Sequence, residues 1–250
     1  MRFKKTLDNN YEKMAKTLTS DCSKFLKEIK GGKNNFVKNG WILRGSKSLN
    51  HTLDNGLMKM NSHVDSGRKP RAAKWFVHNL VNIVSEDLFG WKIRDGVPTM
   101  GGANRELGTT SYFGKLRIFL PIGDYKYVWS PNIQDFNDIN KYTLFDDIYN
   151  KRRRDRMEEA LDIIISLYDT QGNEAEEIFR ENDIDLTYKE VYNEAKKCMT
   201  DFIKTQYKDK QLHGAIEMGN EISFNCDKYY LVEDDTTFFE AIKLIGGYKK

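Results

Sequence analysis

Three stretches far apart in this chain hold side chains suited to chemistry on an anionic ligand. In Trp41-Ile42-Leu43-Arg44-Gly45 an arginine closes an apolar run. Its planar guanidinium binds anionic oxygens in bidentate fashion better than an ammonium does. In the stretch from Arg94 to Gly102, Thr99 offers a hydroxyl close to Gly96, Gly101 and Gly102. Glycines there let the backbone approach a ligand closely. The third stretch, Gly219 to Val232, sets Glu221 at the head of a strand-like run, Glu-Ile-Ser-Phe. A carboxylate in that place can stabilise developing positive charge. Taken singly, each has a bland explanation: Arg44 as a solvated arginine, Thr99 as turn chemistry, Glu221 as an edge charge that discourages aggregation. Their occurrence together, in this order, carries the functional reading.

The combination resembles the ADP-ribosyltransferase-like superfamily of the arginine–serine–glutamate type, especially its phage-encoded members. There an arginine ends the first core strand, a Ser or Thr ends the second, and a glutamate opens a later strand followed by a short turn and an aromatic-hydrophobic strand. Glu221-Ile222-Ser223-Phe224, then Asn-Cys-Asp-Lys, then Tyr229-Tyr230-Leu231-Val232 look like that last part, with Arg44 and Thr99 in the first two places. The resemblance implies an α+β fold with a split β-sheet core of two packed small sheets, N-terminal helices and a helical insertion over about 140–212, in one domain spanning 1–250. It implies transfer of ADP-ribose from NAD to a protein or nucleic acid, without a metal, by a phage factor acting on host components in the host cytoplasm or carried in the virion. Cleaving the nicotinamide–ribose bond passes through an oxocarbenium-like state, which Glu221 would stabilise. Arg44 would hold the pyrophosphate, and Gly45 would lie beside it. Thr99 would orient the glutamate or the ribose, and Tyr112 would stack on nicotinamide. Members that modify arginine carry Glu or Gln where this chain has Gly219, so the resemblance does not point to arginine as acceptor. Glu217, four residues before Glu221, is expected to share its face on an extended strand.

Leu18, Cys22, Phe25, Leu26 and Ile29 have the spacing of one buried helical face, ended by Gly31-Gly32. Residues 36–43 predict a strand stopping at Arg44-Gly45, and 46–66 a loop. Ala72 to Phe89 predicts a helix closed by Gly90. Lys115 to Pro121 and 125–130 predict strands, the latter with Tyr125, Tyr127 and Trp129 packed on one face. Helices are predicted over Asp155 to Tyr168, Glu174 to Glu181, Tyr188 to Ile203 and Thr237 to Ile245. Strands are predicted over Glu221 to Phe224 and Tyr229 to Val232. Helices and strands arranged in that order indicate α+β rather than alternating βαβ.

Composition narrows the classes. Of 250 residues, 39% are hydrophobic and 12% aromatic, enough for a real core and against global disorder. Net charge is +3, so nucleic-acid binding cannot be argued from charge alone. No apolar run approaches the ~20 residues of a spanning helix, and the basic start Met1 to Lys5 is followed by polar Thr6 to Lys16 rather than an apolar stretch. Cys22, Cys198 and Cys226 are widely spaced and odd in number, which points to reduced thiols in a cytosolic setting. No phosphate-cradling glycine loop and no nucleophile elbow occurs. The four histidines are scattered without a ligand pattern, and His78 reads as a hydrogen-bonded residue of its helix. Lys151 to Arg156 has five basic residues in six, which reads first as a solvated helix start offset by Glu158 and Glu159 and second as a phosphate grip. Besides the transferase, two functions stand open: a phage structural or host-interaction protein that keeps the fold without activity, and a nucleic-acid-directed protein.

Overall fold

The computed structural model describes residues 2–29, 41–46, 55–62, 75–102, 114–136, 145, 148, 150–167, 172–233 and 235–246. Its contacts divide the chain into two compact units. The first comprises Met1–Val64, Gly96–Gln134 and Lys208–Lys250, the second Asp65–Asp95 and Asp135–Tyr207. The stretch expected as an insertion over 140–212 therefore divides between them: its helices belong with 65–95, and its last residues, from Lys208, belong to the first unit.

In the first unit, helices α1 (Arg2–Asp21) and α2 (Ser23–Ile29) precede strands β1 (Leu43–Ser46) and β2 (Met58–Asn61). After the second unit's first segment come β3 (Val97–Met100), β4 (Lys115–Ile122) and β5 (Lys126–Trp129). With β6 (Glu221–Asn225) and β7 (Lys228–Val232), these strands form a seven-stranded antiparallel sheet among the described residues, in the order β2-β7-β4-β1-β3-β6-β5. Four register pairs join β1 to β4 and four join β3 to β6, but a single pair, Leu43↔Met100, joins β1 to β3.

The fold is α+β, as the order of elements predicts. The spacing of Leu18, Cys22, Phe25, Leu26 and Ile29 also holds, since all five are buried. They lie on two helices rather than one, Leu18 on α1 and Phe25, Leu26 and Ile29 on α2, with Cys22 at the break between them. The Asp21 carbonyl accepts from the Gly123 amide and its carboxylate accepts from the Tyr230 hydroxyl at 2.7 Å, so the chain turns where the sheet claims it. Gly31-Gly32 lies outside the described residues, as do 36–40 of the first predicted strand. Trp41 and Ile42 are described but not extended in a strand, and β1 begins at Leu43, which makes Arg44 an early residue of β1 and not its last. The loop expected over 46–66 contains β2, paired with β7 from Met58↔Leu231 to Asn61↔Lys228. Met-Lys-Met-Asn is too short and too polar for alternation to reveal it, and its partner strand supplies the reason it is extended.

Phe224 is the hub of the core. The rings of Phe119, Tyr125, Tyr127 and Phe25 have centroids 5.0, 5.8, 5.9 and 6.5 Å from it. Packing thus accounts for the aromatic run of β5, as expected. Its polar tips converge on one carboxylate: Glu28 accepts from the Tyr125 hydroxyl and, at 2.7 Å, from that of Tyr127. Burial first, and the bonds to Glu28 second, raise both phenols above the usual tyrosine range, and burial with Asp21 does the same to Tyr230. A phenol that keeps its proton longer folded than unfolded stabilises the fold below about pH 10, and the contribution is lost as pH rises further. Stability to urea should therefore fall steeply above pH 10. Phenolate absorbance should lag in the folded chain, and a titration matching that of the unfolded chain would contradict this.

The second unit is helical: α3 (Trp75–Phe89), a 3-10 turn at Ile93–Asp95, α4 (Lys151–Ser166), α5 (Gly172–Glu181) and α6 (Tyr188–Gln206). These match the predicted helices closely, because their apolar faces recur at helical spacing. His78 is buried, with Asn82 at 3.3 Å and Asp95 at 3.5 Å. The basic run Lys151 to Arg156 starts α4 behind the N-cap Asn150. Arg154 pairs with Glu158, Arg156 with Glu159, and Arg153 with Glu194, which is the solvated-helix reading. α6 opens with a capping box between Thr187 and Glu190, and Thr187→Ala should cost about 1 kcal/mol in urea unfolding. An unchanged midpoint would mean that the cap does not hold this helix.

The remaining helices, α7 (Leu212–Met218) and α8 (Thr236–Gly246), belong to the first unit. Only α8 is predicted, because α7 is a single apolar-faced stretch shorter than its periodicity can show. Among the described residues no helix is long and apolar enough to cross a membrane. No disulfide joins the three cysteines, and burial pushes the Cys22 and Cys226 thiols up to about 12. Alkylation of the folded protein at neutral pH should label Cys198 alone. Labelling of Cys22 or Cys226 at the same rate would show that their burial is not maintained.

Candidate active site

The sheet gathers the strands that bear the three candidate residues. β1, β3 and β6 are consecutive neighbours, and Leu43, Met100 and Glu221 form one row across them. Because adjacent strands are antiparallel, the second residue of β1, the third of β3 and the first of β6 lie at the same end of the sheet. Arg44, Thr99 and Glu221 are therefore close along the strands, although the sequence separates them widely.

Their side chains are disposed differently. Arg44 is half-buried, its Nη1 donates to the Pro98 carbonyl at 2.7 Å, and its guanidinium lies over the Tyr229 ring at 5.8 Å. It thus spans from β1 to β3 at the place where the ladder between them has ended. Gly45 follows it, opposite Leu116. Thr99 is 2% exposed, and its hydroxyl donates across the pair to the Ile222 carbonyl at 2.9 Å. Alternation along the strands sets Glu221, in one row with Leu43 and Met100, on the side of the sheet opposite Thr99 and Arg44. Thr99 acts on the glutamate strand through the backbone next to Glu221. Tyr112 lies outside the described residues.

Glu221 is partly exposed, and its position is defined by backbone. Its amide donates to the Gln134 carbonyl at 2.9 Å. The neighbouring Asn220 side chain donates to the carbonyls of Ser130 and Pro131 at 2.9 and 3.2 Å, and its own carbonyl accepts from the Gly101 amide at 3.3 Å. The loop after β5 and the end of β3 are thereby tied to the start of β6. Gly101 permits the contact: a Cβ there would stand 2.8 Å from Gly219 Cα and 2.8 Å from the Ile216 carbonyl oxygen. Asn220 and Gly101 carry no signal of this in the sequence beyond the glycine pair itself, since their partners are remote.

Gly219 has a physical reason not to be acidic. It is the C-cap of α7 with φ +76°, a left-handed conformation that costs little only for glycine. The extended reading of Glu217 is corrected by the same helix. Glu217 lies within α7 and sits 3.4 Å from His213, one turn away. It does not share a strand face with Glu221, because the extended backbone starts only after the glycine cap.

One row further along β1, Arg117 of β4 stands directly opposite Arg44. From the sequence it is the polar side of an alternating strand, yet it is 5% exposed. Among the described residues no group of three or more His, Cys, Asp or Glu side chains is arranged to hold a metal. No protein-family model, no curated protein and no solved structure matches this chain.

Proposed function

We propose that this chain is a NAD-dependent ADP-ribosyltransferase that moves ADP-ribose to a macromolecular acceptor, acting as a phage factor on host components. One observation carries the reading: the strands bearing Arg44, Thr99 and Glu221 are adjacent in one sheet, with the three residues at the same end. The single register pair between β1 and β3 supports a sheet divided into two smaller halves, the core that the resemblance implies.

Glu221 would accept a hydrogen bond from a ribose hydroxyl and stabilise the oxocarbenium-like state as nicotinamide leaves. Glu221 is a partly exposed residue whose backbone is held on both sides, which suits a group that must be in place before charge develops. Arg44 and Gly45 would line the pyrophosphate side, and Tyr112 would contact the nicotinamide. Thr99 supports Glu221 from behind by fixing the Ile222 carbonyl. The left-handed Gly219 leaves no place for a second acidic side chain two residues before Glu221, which favours an acceptor other than arginine.

The test is nicotinamide release on incubation with NAD, with host protein and nucleic acid supplied as acceptors. Glu221→Gln keeps the size and removes the charge, and it should lower turnover by about 10²–10³-fold while circular dichroism and melting stay unchanged. Equal turnover in the variant would remove Glu221 from catalysis. Absence of turnover and of NAD binding in the folded parent would leave a host-interaction protein that keeps the fold.

A further inference from the structure

Arg44 and Arg117 are direct register partners on β1 and β4, so both side chains leave the sheet on one face. Like charges so opposed destabilise a strand pair, and a buried cation is costly unless it is neutralised and fully hydrogen-bonded. Neutralisation of Arg117 is incomplete. Arg117 Nη1 donates to the carbonyl and hydroxyl oxygens of Ser46, while Nη2 is 3.8 Å from Glu233 Oε1. That same carboxylate oxygen is held at 2.6 Å by Lys115, the register partner of Ser46. Lys115 first, and Arg117 after it, hold the Glu233 carboxyl below the usual range, so that acid is already committed to Lys115. Arg117 Nε is buried and has no hydrogen-bond partner.

We propose that Arg117, with Arg44 and Lys115 beside it, anchors a binding site for the phosphate groups of an anionic ligand. A guanidinium presents five donors in a fixed fork matched to phosphate oxygens, and here one buried donor is unused. Ser46 accepts from Arg117 and so keeps its own hydroxyl hydrogen to donate. A diphosphate would bring two anionic groups to the two arginines that share this face. Arg117 would be the deep anchor and Arg44 the partner at the β1–β3 gap. The proposal does not rest on transferase activity, because a site of this chemistry binds phosphate whether or not a bond is broken.

Isothermal titration of the full chain with inorganic pyrophosphate, at constant ionic strength, tests it. Saturable binding is expected in the parent and in Lys126→Met, a control that removes an exposed cation on β5. Arg117→Met should weaken binding at least tenfold without lowering the melting temperature, because an apolar chain of similar length replaces a buried charge. If that variant does not fold, Arg117→Lys, which keeps the charge but loses the fork, should weaken binding several-fold. No binding in the parent, or equal binding in the folded Arg117 variant, overturns the site. Binding of ADP-ribose with none of pyrophosphate also overturns it, since recognition would then lie in the base and sugars. Pyrophosphate binding that depends on Arg117, without NAD turnover, keeps this site and sinks the transferase reading.

Discussion

Gly101→Ala is expected to destabilise the first unit by about 3 kcal/mol, near the upper end of what overpacking costs. The added methyl would stand within 2.8–2.9 Å of Gly219 Cα and of the Ile216 and Ala215 carbonyl oxygens. These are backbone atoms at the end of α7, and they cannot rotate away as a flexible side chain would. Relief requires the Gly219-Asn220-Glu221 segment to move away from β3. That would loosen the Gly101 amide from the Asn220 carbonyl and displace Glu221 with it. Urea unfolding monitored by tryptophan fluorescence reads the stability, and nicotinamide release reads the displacement. A midpoint within about 0.5 kcal/mol of the parent's, the range of an ordinary surface substitution, would show that the close approach is absent in solution.

Phe224→Ala should cost more, about 3–5 kcal/mol. The ring is fully buried and touches the rings of Phe119, Tyr125, Tyr127 and Phe25, so its removal leaves a cavity walled by side chains that have other attachments. Tyr125 and Tyr127 are tied to Glu28 and cannot collapse into the space without giving up those bonds. Phe224→Leu should recover a large part of the loss. A loss under about 1 kcal/mol on alanine substitution would mean that the ring cluster is not the centre of the core. Because Phe224 lies on β6 with Glu221, both this variant and Gly101→Ala test whether the glutamate strand owes its position to the same packing that holds the unit together.

Much of the helical architecture is legible in the residue order. The buried face from Leu18 to Ile29, the helices of the second unit and the alternation of β4 all follow from local periodicity, which needs no partner to be seen. The elements that escape it are those whose reason lies elsewhere in the chain. β2 is extended because β7 pairs with it, and its own four residues hold too little pattern to say so. The break between α1 and α2 reflects what Gly123 and Tyr230 do to Asp21. Arg117 reads as an outward-facing strand residue, and only the face it shares with Arg44 and the cover over it make it a buried cation. Glu217 reads as extended because nothing nearby in sequence signals that a glycine cap will end a short helix two residues later.

Residue order alone carries the inventory: an α+β chain with a core rich in aromatics, and an arginine, a threonine and a glutamate, each placed near a strand end. Residue types and short-range periodicity are local properties, so they are readable without coordinates. Tertiary structure alone decided that β1, β3 and β6 are neighbours, that Thr99 serves the backbone beside Glu221, and that Gly219 is a left-handed cap. It also decided that two arginines oppose each other on one face. Strand order and register arise from pairing between segments far apart in the chain, and a shift of one residue turns every side chain to the other face. Which groups meet is thus a property of the paired sheet and of no single strand.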